Sequence, residues 1–269
     1  MTKFAIFDER NAAISNAGVP TASSALLYGK GVFTTIAIRD GIPFLWEKHW
    51  RRLIENARKL EITVGGFSED FVKSSLAGLI VENEKTDGRA RITFLDTSSS
   101  NIWPTETTSK TSLLIMTGEL RPVPENFRLT VSPYPINSLS PLAGVKSCNY
   151  LENLLALDEA KSRGFDEAIR VNERGQVTSG AMANVLWLKD DVLYTPSLKT
   201  GCLAGTTREY VLENLVAREV EATIDDLKSA DAIYLTSAGL GVVRTVEFDY
   251  RTFNPTDHPI ARLLLPSAR

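Results

Sequence analysis

Three pieces of sequence decide the fold: Gly144-Val-Lys-Ser-Cys-Asn-Tyr150, Gly164-Phe-Asp-Glu-Ala168 and Gly175-Gln-Val-Thr-Ser-Gly180. Between the first two lies a helix signal over residues 149–163, with Leu151, Leu154, Leu155 and Ala160 on the side expected to be buried. Gly164 closes that helix as a C-cap. Residues 167–171 then read as a strand, and residues 184–189 and 192–194 as two more. A helix from Thr207 and a strand over residues 232–236 follow.

Upstream, residues 127–132 read as a strand, and a proline-punctuated loop leads from there to Val145. Arg121-Pro122-Val123-Pro124 has the composition of a domain linker. The first third alternates strand and helix. Residues 3–7 are a short apolar run, and residues 31–38 are β-branched and aromatic, closed by the turn pair Asp40-Gly41. Over residues 46–60 the period changes: Trp46, Trp50, Leu53, Ile54, Ala57 and Leu60 share one face, opposite Arg, Lys and Glu. A second helix over residues 68–82 takes Ser68 as N-cap, and strands follow at residues 90–95 and 112–116. The Ser/Thr-rich stretch at residues 96–111, with Trp103-Pro104, reads as a loop near an interface. The expectation is an α+β chain of two domains, residues 1–116 and 125–269, joined by a linker at residues 117–124.

Composition narrows the function classes. The chain has 269 residues, 43% hydrophobic and 23% charged, which excludes a disordered or fibrous chain. A net charge of −3 offers no basic footprint for nucleic acid, and no apolar run has the length of a membrane span. The first residues are too quickly charged for a signal peptide. Cys148 and Cys202 lie outside any metal-ligand spacing, so no metal site is expected and a reducing cytoplasm is. His49 and His258 are the only histidines, which weighs against a His-rich metal site or a Ser-His-Asp triad.

With Cys202-Leu-Ala-Gly-Thr-Thr-Arg208, the three pieces quoted first resemble, in order and spacing, the class IV (fold type IV) pyridoxal-phosphate enzymes. That family includes branched-chain and D-amino-acid aminotransferases and aminodeoxychorismate lyase. Tyr28-Gly-Lys-Gly-Val-Phe-Thr-Thr35 and Glu47-Lys-His-Trp-Arg-Arg-Leu53 match its N-terminal half, so the resemblance spans nearly the whole chain. It implies an N-terminal α/β sandwich, a C-terminal α/β pseudobarrel, pyridoxal 5'-phosphate at the domain interface, a small-molecule substrate and a homodimer.

The resemblance assigns roles residue by residue. Lys146 is the amine that condenses with the cofactor aldehyde, gives way to the substrate amine and then moves protons. Position alone would leave it a solvated lysine before a helix. Tyr150 corresponds to a tyrosine near the cofactor's phenolic oxygen, or is a core aromatic. Gly205-Thr206-Thr207 is the phosphate cup, where backbone N–H groups converge at a helix start. The same residues also spell a capping box, Thr206 with Glu209, that needs no ligand. Arg52 gives the phosphate a guanidinium fork, with Arg51 as its rival should the register slip by one. The turn Thr236-Ser237-Ala238 supplies a further phosphate contact at Ser237 and Ala238, although Ala238 departs from the threonine often found there. Tyr28, Phe33 and Arg91 fall on the substrate side. Ser179 is the main departure: the usual motif has a glutamate there, paired with the pyridine nitrogen.

Phe33-Thr34-Thr35 and residues 237–242 look more like aminodeoxychorismate lyase, which releases pyruvate and leaves 4-aminobenzoate, a folate precursor. An aminotransferase acting with a 2-oxo acid stays open, as does a cofactor-binding protein without efficient turnover.

Overall fold

Two long runs of β-branched and apolar residues, 31–39 and 88–96, pair side by side and organise the first half of the molecule. The structure is a computed structural model describing residues 4–13, 20–98, 110–120, 122–254 and 257–263. It forms two compact units, residues 1–120 with 145–150, and residues 121–144 with 151–269.

The first unit contains β1 (Phe4–Phe7), α1 (Ser24–Tyr28), β2 (Gly31–Arg39), β3 (Ile42–Pro43), α2 (Trp46–Lys59), α3 (Glu69–Glu82), β4 (Gly88–Asp96) and β5 (Thr111–Gly118). Its sheet is antiparallel in the order β1-β5-β4-β2-β3. The amphipathic face of α2 buries Trp46, Leu53 and Ala57 in a core with Val32, Ile36, Ile92, Phe94 and Ile115. Each Val, Leu, Ile or Phe side chain withdrawn from water there stabilises the unit by about 1.5–3 kcal/mol. Ser68 caps α3 as expected, its Oγ accepting from the Phe71 N–H at 3.2 Å. Of the predicted loop at residues 96–111, positions 99–109 lie outside the described residues, Trp103-Pro104 among them.

The second unit contains β6 (Arg128–Val131), α4 (Leu151–Ser162), β7 (Glu167–Val171), β8 (Val177–Gly180), β9 (Asn184–Lys189), β10 (Val192–Pro196), α5 (Thr206–Asn214), β11 (Ala217–Val220), α6 (Ile224–Lys228), β12 (Ala232–Ser237), β13 (Gly241–Arg244), β14 (Glu247–Phe248) and β15 (Arg251–Thr252). Two five-stranded sheets result, in the orders β11-β10-β9-β12-β13 and β15-β14-β6-β7-β8. They enclose a core of Phe127, Leu129, Ile169, Val185, Trp187, Ile233, Leu235 and Phe248.

The expected buried face of α4 is corrected here. Leu151, Leu154 and Leu155 are 65%, 46% and 51% exposed, and the buried residues are Ala156, Leu157 and Ala160. Apolar residues surround this helix, so periodicity does not single out a face. The side that docks carries the small alanines, which allow close approach to Ala181 on one flank and to Phe165 and Ala168 on the other.

Candidate active site

In the first unit, residues 146–148 run along the open edge of β2. Val32 and Ser147 form an antiparallel bridge, the Phe33 N–H donates to Lys146 O at 3.0 Å, and the Cys148 N–H donates to Gly31 O at 2.8 Å. A β-carbon at Gly31 would sit 2.9 Å from Cys148 Sγ and 3.0 Å from Leu95 Cδ2, so this approach requires glycine. The strip fixes where Lys146 points. Its Nζ donates to Tyr150 Oη at 3.3 Å and lies 4.5 Å from the Phe33 ring centroid and 4.8 Å from that of Tyr150.

Lys146 is partly exposed as a residue, but its amine is enclosed by protein. Burial first, then the charges of Arg52 and Arg91, lower its pKa to about 7. The Arg91 guanidinium stacks 3.6 Å over Phe33, and its Nε donates to Thr93 Oγ1 at 3.2 Å. Burial raises the Cys148 thiol, and Arg91 opposes that rise. Cys202 is a buried thiol, also raised by burial.

Arg52 is 9% exposed, whereas Arg51 and Arg58 on the same helix are exposed. Its Nη2 donates to Thr34 Oγ1 at 3.0 Å, and that hydroxyl lies 2.7 Å from His49 Nδ1. His49 is held well below its ordinary pKa by burial, then by Arg52 and Lys146, so its imidazole is neutral at pH 7. The sequence singled out Arg52 but not His49, whose signal is only its place one helical turn before the arginine. Tyr28 ends α1 and is exposed.

In the second unit, Gly205 is the N-cap of α5, with no side chain capping it and Thr206 already helical. The predicted capping box is therefore corrected: Thr206 is one position too late to be the cap. Thr206, Thr207 and Arg208 are buried, and their N–H groups belong to the turn that has no intrahelical acceptors. A β-carbon on Gly205 would collide with Asn184 Oδ1, while Asn184 Nδ2 donates to Leu203 O at 2.8 Å. Asn184 pairs in register with Thr236, whose buried Oγ1 has no hydrogen-bond partner among the described residues. The sequence singled out neither Asn184 nor Thr236, which entered only as the first residue of the Thr236-Ser237-Ala238 turn. Ser237 is half-buried, its Oγ accepting from the Leu240 N–H at 3.2 Å, and Ala238 is half-buried beside it. Arg208 braces the start of α5 by donating to Glu219 Oε2 at 2.6 Å and Pro196 O at 2.9 Å.

Ser179 is buried on β8, directly opposite Arg170 of β7. The next turn is shaped by Glu167, whose carboxylate accepts from the N–H groups of Ala168, Ala181 and Met182 at 3.0, 2.9 and 3.2 Å.

The first unit thus offers an amine that is half neutral at pH 7 beside two guanidinium groups. The second offers an uncapped helix start beside a buried hydroxyl. Such groups suit an enzyme whose cofactor combines a carbonyl with an anion. The model of the class IV amino-transferase family matches residues 31–248, and the chain belongs to that family. The aminodeoxychorismate lyase of Bacillus subtilis (strain 168) is 30% identical over 226 residues, covering 81% of this chain and 77% of that one. The D-alanine aminotransferase of Bacillus licheniformis is 27% identical over 253 residues, covering 92% and 89%. The branched-chain amino acid aminotransferase of Escherichia coli shares the fold, with a TM-score of 0.87, 22% identity and coverage of 96% and 91%. The chain is accordingly a pyridoxal-phosphate-dependent enzyme of fold type IV. The groups that each unit offers fit that cofactor: an amine with a lowered pKa and a buried arginine in the first, and in the second the buried, unpartnered hydroxyl of Thr236 by a helix start without a side-chain cap.

Proposed function

We propose that the chain is a lyase resembling aminodeoxychorismate lyase, releasing pyruvate and leaving 4-aminobenzoate, a precursor of folate. The observation that carries this reading is Ser179, a buried hydroxyl where the family motif has a carboxylate. When bound, pyridoxal phosphate supplies an aldehyde that captures an amine and a ring that accepts electrons from the substrate's α-carbon. Ser179 gives the ring nitrogen a hydrogen bond but no charge partner, and so leaves a weaker electron sink. Elimination tolerates that, because the departing group takes the electrons; transamination tolerates it less.

The other residues take their roles in the same proposal. Lys146 presents a neutral amine near pH 7 and then carries the proton at the α-carbon. Tyr150, bonded to that amine, faces the phenolic oxygen. Arg52, positioned by Thr34 and His49, binds the phosphate together with Gly205, Thr206, Thr207 and Thr236, with backbone N–H groups of Ser237 and Ala238 alongside. Arg91 and Phe33 form the substrate side with Tyr28, and the Arg91 guanidinium suits a substrate carboxylate. The proposal includes a homodimer in the cytoplasm. The exposed Leu151, Leu154 and Leu155 suit a partner surface, and two free thiols suit a reducing compartment.

A second reading, an aminotransferase, is supported by the likeness to D-alanine aminotransferase. Purified protein mixed with aminodeoxychorismate should yield 4-aminobenzoate and pyruvate in equal amounts. L- and D-amino acids with 2-oxoglutarate should turn over far more slowly. The opposite ranking would replace the lyase reading by the second one, and sedimentation velocity reads the dimer.

A further inference from the structure

Arg170 is buried to 2% exposure on β7 of the second unit. Its Nε donates to Tyr134 O and its Nη2 to Pro135 O, each at 3.0 Å, and its Nη1 reaches Asn153 Oδ1 at 3.5 Å. These acceptors are neutral. The one carboxylate in reach, Glu152 at 3.4 Å, has a side chain 78% exposed and largely screened by water. The contrast is Arg208, also buried, whose half-exposed partner Glu219 closes to 2.6 Å. The charge of Arg170 therefore has no buried counter-ion among the described residues.

Pairing of β7 with β8 sets Arg170 opposite Ser179, in step with Ile169 opposite Gly180 and just before a bulge that leaves Thr178 unpaired in the ladder; opposed residues share a face, their β-carbons about 5 Å apart. Glu167, three positions earlier on β7, falls on the other face, with its carboxylate taken up by three backbone N–H groups. Among the described residues, the charged groups that bear on position 179 are thus the buried Arg170 and the solvated Glu152, with the buried Glu167 carboxylate turned to the other face.

We infer that Arg170 governs the protonation at position 179, keeping a proton off the heterocyclic nitrogen that Ser179 faces and claiming any carboxylate placed at that position. The inference rests on the reading above that Ser179 faces the cofactor ring. A buried guanidinium on the same face of the ladder disfavours a second positive charge there, and it pairs with a carboxylate more strongly than a ring nitrogen does. Arg170 is a positioning residue here, acting through its field. It also explains why a neutral side chain at 179 is compatible with this site: a glutamate would be drawn into an ion pair with Arg170 instead of serving the ring.

The test is a double-mutant cycle read by the 15N chemical shift of pyridoxal phosphate labelled at the ring nitrogen and bound to the full-length protein. Wild type and Ser179→Glu should both show an unprotonated nitrogen, and Ser179→Glu/Arg170→Gln a protonated one, with at least about a tenfold change in the protonated ratio. Gln keeps donors for the Tyr134 and Pro135 carbonyls, and Arg170→Lys in the Ser179→Glu background should restore the unprotonated signal. A protonated nitrogen in wild type, or in Ser179→Glu with Arg170 intact, would overturn the inference, and both proteins keep Arg170's structural bonds. One shift common to all four proteins would instead mean that Ser179 does not face the ring. In that case the same cycle on the cofactor-free protein decides the pairing. Urea unfolding should give a coupling between Ser179→Glu and Arg170→Gln of at least about tenfold in the folding equilibrium, and additive effects would overturn it.

Discussion

The two units bring opposite physics to one enzyme. The first gathers charge: Lys146, Arg52 and Arg91, with His49 forced neutral among them. The second gathers dipoles: the start of α5, the hydroxyls of Thr206, Thr207 and Thr236, and an Asn184 already committed to Leu203, with Arg208 balanced by Glu219. Charges set protonation states and act over several ångströms, whereas neutral donors act only at contact distance and set position. The first unit should therefore answer to pH and to single charge deletions, and the second, Arg170 apart, to small steric changes.

The harshest way to break this contrast is Lys146→Ala. It should lower kcat at least about a thousandfold, since nucleophile and proton carrier are lost together. Borohydride reduction of the native enzyme should mark only the peptide containing Lys146, and a mark on Lys199 would end the assignment. Next is Arg52→Ala, which removes a charge-assisted contact of about 1.5–3 kcal/mol and should weaken cofactor binding about tenfold to a hundredfold. Arg58→Ala on the same helix should leave that affinity unchanged in equilibrium dialysis. On the second unit, Thr236→Val should cost about two- to tenfold in cofactor affinity, the scale of one neutral hydrogen bond, with kcat nearly unmoved.

The pH response separates the units further. The lysine's pKa is depressed, so its neutral, reactive form is scarce below about 7 and prevails above it. Capture of the cofactor by stripped enzyme should rise about tenfold between pH 6 and 8, and Arg91→Gln should move the midpoint upward, because removing a neighbouring cation restores the lysine's affinity for its proton. Thr207→Val should leave the midpoint in place, and an equal shift in both variants would erase the distinction. The smallest effect belongs to α4. Leu154→Ser should change unfolding stability in urea by less than about 0.5 kcal/mol at protein concentrations where the chain is monomeric, as expected for an exposed position.

What the sequence showed depends on contrast along the chain. The face of α2 was legible because polar and apolar residues alternate sharply, but the burial of Arg52, which periodicity set with the polar side and only the motif singled out, was not. In α4 no such contrast exists, so large leucines drew the eye and small alanines did the docking. The strands β13 to β15 are two to four residues each, too short for a period. Thr236 and Asn184 are ordinary until register sets them side by side, and Arg170 gains meaning only from the residue across the ladder. Motif order found the lysine; tertiary pairing supplied its surroundings.

The strip at residues 145–150 also governs how the protein is made. Val32 waits for Ser147, a partner 115 positions later in the chain. Once residue 120 has been synthesised, the nascent first unit has nearly all its strands, yet the edge of β2 at residues 31–33 lacks its cover. At translation rates of 5–20 residues per second, that bare edge persists for roughly 2–6 s until residue 150 is added. An uncovered strand edge is a template for pairing with another chain, so this interval exposes the nascent unit to aggregation. Lys146, the amine proposed to meet the cofactor, arrives in the same six-residue strip that ends the exposure.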